Sequence, residues 1–505
     1  MTNPSRRDLQ VPSVLSFLLA ALVSSASLAP RAEAAFPEDH RKLERTISYP
    51  EMVAFLGEVD GKGTVRVSIE GTTVQGRSVY LVRLGRGKPN AWKVLLYAQQ
   101  HGDEVSGKDA ALYLIRDLAR RPELLSPDVD LWIFPMMNPD GAEAGKRRNG
   151  SGADLNRDHL GLDQPETRAL HRVVQQVRPD VALDCHEFAR DSDDYSQRGL
   201  AKWPDITLDG LNNPLFDPAV VTAARRFVDA AAEAERKAGH PFLRYWVGGV
   251  PPWEEQRHSA PDIDSGLNAV GMYGGLSFIA EAAAPKAAAA PKGGLGNRVD
   301  AYLTLFRLVL AGDGRRAEDR AAVERSRRRS LPPFLPTNYL WTNPAATVTE
   351  FPVLESATGR TLKISTANLM TDLVVKRTVP APLGYAVDPR AAAPFRELLE
   401  RHGIPFETLA APATATLEAC TLVRVEDEFD EVYSRYEGRQ IVRCTAKTTS
   451  ELAVGTLRIL LEGEAALRST LVLEPAMLYG LYQLPRFRAL AGPDGLLPVR
   501  RIVVP

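Results

Sequence analysis

Lys93-Val94-Leu95-Leu96-Tyr97-Ala98-Gln99-Gln100-His101-Gly102-Asp103-Glu104 is the stretch from which the fold can be read. Residues 93–98 have the length and apolar content of a buried strand, and the run stops just short of a histidine. Beyond it Ala110, Ala111, Leu114, Ile115 and Leu118 recur at helical spacing, so the chain passes from strand through a tight turn into helix. The pattern repeats outward in both directions. Residues 65–69 and 79–84 alternate as strands, preceded by a helical segment at 49–56. Residues 128–137 give another strand, ending in the turn Asn138-Pro139-Asp140-Gly141. A helix over 165–177 carries proline in its first turn, and a strand follows at 181–185. An alanine-rich helix over 218–237 opens at Asp217 and stops before Gly239; a strand at 276–280 and a helix at 298–310 complete the series. Alternation from residue 49 to 311 predicts an α/β domain with a largely parallel or mixed sheet.

The texture changes after this. Residues 282–294 read as a solvated loop, and an arginine run meeting Leu331-Pro332-Pro333-Phe334-Leu335-Pro336 reads as a boundary. The expectation is a catalytic domain over 45–325 and a smaller, strand-rich C-terminal domain over 337–505. The latter has strands such as 457–461 and 470–473 and a helix over 391–402. At the other end, Ser5-Arg6-Arg7 precedes an apolar stretch at 11–28 and Arg31-Ala32-Glu33-Ala34. That is the layout of a cleavable signal peptide, residues 1–34, which implies export to the periplasm or the exterior. The paired arginines resemble a twin-arginine signal.

Among 505 residues, 62 Lys plus Arg balance 63 Asp plus Glu for a net charge of −1, which argues against nucleic acid as a partner. No later segment is apolar enough for a stable membrane span after processing. The three cysteines are too few for a disulfide scaffold. Cys420 and Cys444 are open to two readings, one bridge or two separate buried thiols. Cys185 alternates away from its neighbour His186 along a strand and reads as core.

Four features fall just past the ends of expected strands: His101 to Glu104, the segment 138–157, His186 and Glu281. In open α/β sheets those ends line the ligand crevice, so residues far apart in sequence converge there. His101 and Glu104 leaving a strand into a turn can reach one metal ion, and His186 adds a third ligand. Two histidines and one glutamate with an open fourth position describe a catalytic zinc site. Zinc brings the pKa of a bound water toward neutrality and polarises a carbonyl, and Glu281 would move the proton. Taken alone, H-x-x-E arises by chance; the four coincident strand ends give it weight.

These residues, with Tyr49-Pro50-Glu51, the segment 71–77, Arg147-Arg148-Asn149, Asp154-Leu155-Asn156-Arg157-Asp158, Asp184-Cys185-His186 and Phe278-Ile279-Ala280-Glu281, resemble the zinc carboxypeptidase family, the carboxypeptidase A-like metallopeptidases. The resemblance covers roughly residues 49–311. It implies an α/β/α fold with a mixed eight-stranded sheet, one Zn2+ per chain, and a peptide substrate with a free C-terminal carboxylate. It further implies His101, Glu104 and His186 as metal ligands, Asp154 as the carboxylate orienting the first histidine, and Glu281 as general base, with Glu254 and Glu255 as rivals. Arg147, or Arg148 beside it, would polarise the scissile carbonyl. Asn156 and Arg157 would hold the substrate's carboxylate. The family's mobile tyrosine has Tyr273 as its nearest counterpart and Tyr245 as a rival, and the base of the specificity pocket is not placed. The functional expectation is a metallocarboxypeptidase. The alternatives are a zinc amidase acting on cell-wall peptides or N-acyl amino acids, and a non-catalytic peptide-binding protein.

Overall fold

In chain order the strands of the first part are β1 (Arg66–Thr72), β2 (Ser78–Leu84), β3 (Trp92–Ala98), β4 (Val129–Phe134), β5 (Val181–Ala189), β6 (Leu200–Lys202), β7 (Ile206–Gly210), β8 (Phe242–Arg244), β9 (Val247–Gly248), β10 (Gln256–Arg257) and β11 (Leu276–Ala284). They are taken from a computed structural model that describes residues 36–285, 294–430, 435–445 and 447–504. The expected signal peptide and the alanine-rich stretch 286–293 lie outside the described residues.

Eight strands form one mixed sheet in the order β1-β2-β4-β3-β5-β11-β7-β8. Its centre, β4-β3-β5-β11, is parallel, and antiparallel strands flank it on both sides. Every residue of β4 is buried, as a parallel strand covered on both faces must be. Gly107, in the helix Ser106–Arg120, lies against Cys185, while Gly266, opening the helix Gly266–Gly271, lies against Asp184. Adjacent residues of a strand face opposite ways, so the two helices cover opposite faces and the domain has three layers. The helices Pro218–Ala238 and Leu295–Ala311 complete the layer that holds Ser106–Arg120. Local signals set these elements. Ser48 and Glu51 form a capping box on the helix Tyr49–Val59, and Asp217 caps Pro218–Ala238, which ends at Gly239 in a left-handed conformation.

Two strands run further than the sequence suggested. β5 continues to Ala189 and β11 to Ala284, in register throughout. His186 and Glu281 therefore lie within strands, not past their ends. The pairing of the two strands with each other carries the ladder four residues further than the apolar runs that announced them.

The C-terminal part contributes β12 (Phe334–Thr342), β13 (Thr349–Glu355), β14 (Thr361–Thr366), β15 (Leu369–Met370) and β16 (Asp372–Pro380). β12 pairs with β16, β13 pairs with both β14 and β6, and β15 pairs with β10. The C-terminal part is thus hydrogen-bonded into the first part through two small shared sheets. Beyond it a six-stranded sheet includes Gly384–Val387, Ala413–Glu418 and Val499–Val504. The helix Ala392–His402 packs on Pro165–Val177, with His402 Nε2 2.9 Å from the Leu160 carbonyl. Residues 470–473, expected as a strand, lie in the helix Ala466–Leu473. A four-residue apolar run does not distinguish a strand from a buried helix. Cys420 and Cys444 are register partners in a hairpin and form a disulfide, while Cys185 is a free, buried thiol.

Candidate active site

The turn after β3 is held from beneath. Asn138 donates to the carbonyls of Gln100 (3.0 Å) and Arg147 (3.2 Å) and accepts from the Gly141 N–H (2.8 Å). Gly102 packs directly on this turn: a Cβ there would lie 2.1 Å from the Gly141 carbonyl carbon. Asp140, in the same turn, accepts from Thr73 (2.8 Å) and Arg77 (2.7 Å), which ties the segment 71–77 to it. These links fix where the H-x-x-E segment stands.

On that frame His101, Glu104 and His186 converge, all three buried, with ligand-type atoms within 4.8 Å of one another. His101 Nδ1 lies 2.7 Å from Glu104 Oε1, His186 Nδ1 lies 2.8 Å from Glu104 Oε2, and the two Nδ1 atoms are 3.1 Å apart. Each imidazole turns its other nitrogen to a carboxylate. His101 Nε2 is 3.1 Å from Asp154 Oδ1, and His186 Nε2 is 3.0 Å from Asp184 Oδ1. Such carboxylates favour the tautomer with hydrogen on Nε2, leaving both Nδ1 lone pairs facing Glu104. Two imidazole nitrogens and a carboxylate are a zinc donor set, and tetrahedral bonds of about 2 Å place ligand atoms about 3.3 Å apart. The residues fit that ion.

Burial alone would raise the Glu104 carboxyl, but the charge and hydrogen bonds of the His101 and His186 rings, when these are protonated, hold it well below the usual carboxylate range. Burial would likewise raise Asp154, and its hydrogen bond from His101 together with the Arg147 charge outweighs that. Arg147 reaches the centre, its Nε donating to Asp154 (3.1 Å) and its Nη1 to Glu104 (3.2 Å). Arg148 is exposed and donates to the Gly152 carbonyl at 3.0 Å. Of the two arginines, Arg147 is the one brought to His101 and Glu104.

Glu281 is the register partner of His186 across β5 and β11, so both side chains rise on the same face. Burial pushes its pKa up, with His186 opposing. Glu281, His101, Glu104, Arg147 and Arg157 line one cleft of about 820 Å³. Asn156 also lines it, its Oδ1 accepting from the Gly266 N–H (2.8 Å) and its Nδ2 3.2 Å from His186 Nε2. Arg157 stands beside it, half-buried, with Nη1 donating to the Asn156 carbonyl at 2.6 Å.

Tyr273 is not brought to this cleft. Its hydroxyl lies 3.0 Å from His171 Nδ1, its ring lies under the Arg468 guanidinium, and it lines a separate small cavity. Nearness in sequence to Glu281 misled here, because the turn at Gly274 and Gly275 intervenes before β11 begins. Tyr245 does line the cleft. So does Glu254, but it is ion-paired to Arg198 at 2.8 Å.

Two supporting residues escaped the sequence reading. Asp184 orients His186 and is held by Gln100 Nε2 at 2.8 Å. Glu187 accepts from the Val105 and Ser106 N–H groups (3.0 and 3.2 Å), capping the helix behind Glu104 while its own N–H donates to Glu104. Alternation along β5 is the available signal: Asp184 shares the face of His186, and Glu187 shares that of Cys185.

Residues 52–197 match the model of the zinc carboxypeptidase family. Carboxypeptidase 2 of Trichophyton rubrum is 34% identical over 195 residues, covering 37% of this chain and 36% of that protein. Carboxypeptidase 2 of Trichophyton tonsurans is 25% identical over 202 residues, 38% of each chain. The chain thus spans well under half the length of the curated relatives it matches. Among solved structures, a metallo-carboxypeptidase of Pseudomonas aeruginosa is 27% identical with a TM-score of 0.40, covering 52% of this chain and 69% of that one. One from Burkholderia cenocepacia is 23% identical with a TM-score of 0.43, covering 52% and 68%. Among the described residues no helix is long and apolar enough to cross a membrane.

Proposed function

We propose that the chain is a zinc-dependent metallocarboxypeptidase that hydrolyses the C-terminal peptide bond of peptides. The observation that carries this is the convergence of His101, Glu104 and His186 in a cleft that also presents Glu281 and Arg157. His101, Glu104 and His186 would hold one zinc ion, which supplies Lewis acidity to the site. Glu281 accepts the proton of the attacking water and delivers it to the departing amine nitrogen. Arg147, braced at Nε by Asp154, turns Nη1 toward the ligand centre and donates to the carbonyl oxygen as negative charge develops there. Arg157, with Asn156 beside it, binds the substrate's terminal carboxylate, a task suited to a guanidinium fork. Tyr245, in the cleft wall, takes the place given by the sequence to Tyr273 as the tyrosine that covers the substrate. Residues 1–34 direct export, a reading supported by the Cys420–Cys444 bridge, since such bridges persist in oxidising compartments.

The test is mass spectrometry of a mixed peptide set incubated with the zinc-loaded full chain. Successive loss of single C-terminal residues is the expected result. Intact peptides alongside a protein that retains zinc would overturn the reading in favour of the amidase or the binding protein.

A further inference from the structure

Of the cations that line the cleft, Arg147 is assigned above to the scissile carbonyl and Arg157 to the terminal carboxylate, and Arg148 donates to a backbone carbonyl. Lys202 and Arg257 remain. Neither forms an ion pair among the described residues. The Lys202 ammonium stands between two aromatic rings, 5.4 Å from the centre of Phe188 and 5.6 Å from that of Tyr195, an arrangement that fixes a cation without neutralising it. Burial draws its pKa below the usual lysine value, with only Asp194 and Glu281 opposing from beyond ion-pair distance. Arg257 donates one nitrogen to the His258 carbonyl at 3.1 Å. Two carboxylates of the same cleft are already neutralised, Glu187 by Arg298 and Glu254 by Arg198, each at 2.8 Å.

Both cations sit on very short strands, and both strands are hydrogen-bonded to the C-terminal part. Lys202 on β6 is the register partner of Val353 on β13, and Arg257 on β10 is the partner of Met370 on β15. Two residues before Val353, Phe351 itself lines the cleft. A two- or three-residue strand has no stability of its own, so the C-terminal part holds Lys202 in place and braces Arg257, whose strand pairs with β9 on its other side.

We propose that Lys202 and Arg257 form an anion-reading subsite, supported by the C-terminal part, and that the preferred substrate is an acidic peptide. Such a substrate bears a side-chain carboxylate next to the scissile bond in addition to its terminal one. This inference rests on the carboxypeptidase reading above. A charge-assisted contact to a carboxylate discriminates against its neutral amide by about ten- to a hundredfold.

The experiment compares kcat/KM of the zinc-loaded full chain for free-acid peptides with Glu or Gln at the last or the penultimate position. The expected result is a Glu preference of about tenfold or more at one of the two positions. That preference collapses toward unity in Lys202→Gln and reverses toward Gln in Lys202→Glu. Equal rates for Glu and Gln at both positions in the wild-type protein would overturn the inference while leaving the carboxypeptidase reading standing, and this arm does not depend on any variant folding. An unchanged Glu-to-Gln ratio in Lys202→Gln and in Arg257→Gln would also overturn it. Hydrolysis of none of the peptides would overturn both.

Discussion

Glu281 and His186 face each other across two parallel strands, paired Cα to Cα in the ladder of β11 and β5. The pairing sets the carboxylate we assign as proton acceptor beside the imidazole we assign as metal ligand, through the backbone hydrogen bonds of the ladder. Tyr302 reinforces it, its hydroxyl donating to both the His186 and the Ala280 carbonyls. Because the ladder positions Glu281, removing its charge need not disturb the ligands. Glu281→Gln is predicted to keep wild-type zinc content by atomic absorption while kcat falls by about 10²–10⁴.

The ligand set predicts a different signature. His186→Ala should lose zinc at equilibrium. Asp184→Asn keeps the ligand but removes the carboxylate that orients it, and should weaken zinc binding by about 10- to 100-fold. Competition with a chromophoric chelator measures both, and full occupancy in His186→Ala would remove that residue from the set.

Much of this site is legible in the sequence because strand-end positions converge by topology. His101, Glu104 and the turn at Asn138 follow apolar runs read as buried strands, and β3 and β4 occupy those runs. Glu281 and His186 carry chemistry that the sequence displays, but their apolar runs stop short of them, because the pairing that prolongs β5 and β11 is a long-range property. Tyr273 failed for a related reason. Its ring belongs to the packing around His171, and a separation of a few residues carries no information about which face a turn will present. Lys202 and Arg257 lie beyond the reach of sequence reading, since β6 exists as a strand through its partner β13, and β10 through β9 and β15.

Gly102 gives a packing prediction. A Cβ there meets the Gly141 backbone, which cannot move aside as a side chain would. Gly102→Ala should destabilise the fold by about 1–3 kcal/mol and lower zinc affinity together, measured by denaturant unfolding and chelator competition.

Glu235 gives a pH prediction remote from the cleft. Its carboxylate oxygens are buried without hydrogen-bond partners among the described residues, and burial, with Asp300 and Asp205 nearby, pushes its pKa from 4.5 up to about 9. The native state therefore holds a proton that the unfolded chain releases. This costs stability progressively as pH rises from about 4.5 to about 9, by up to about 1.4 kcal/mol per pH unit. Glu235→Gln should raise the thermal midpoint at pH 8 and change it little at pH 5. An equal shift at both values would contradict the assignment.

The central claim is tested most directly by one matched pair of substrates, the same peptide as free acid and as C-terminal amide, presented to the full chain with zinc and after chelation. The expected result is release of the terminal residue from the acid, about 10²-fold or more slower release from the amide, and none from either once zinc is removed. Equal cleavage of acid and amide, or turnover that survives complete removal of zinc, would contradict it.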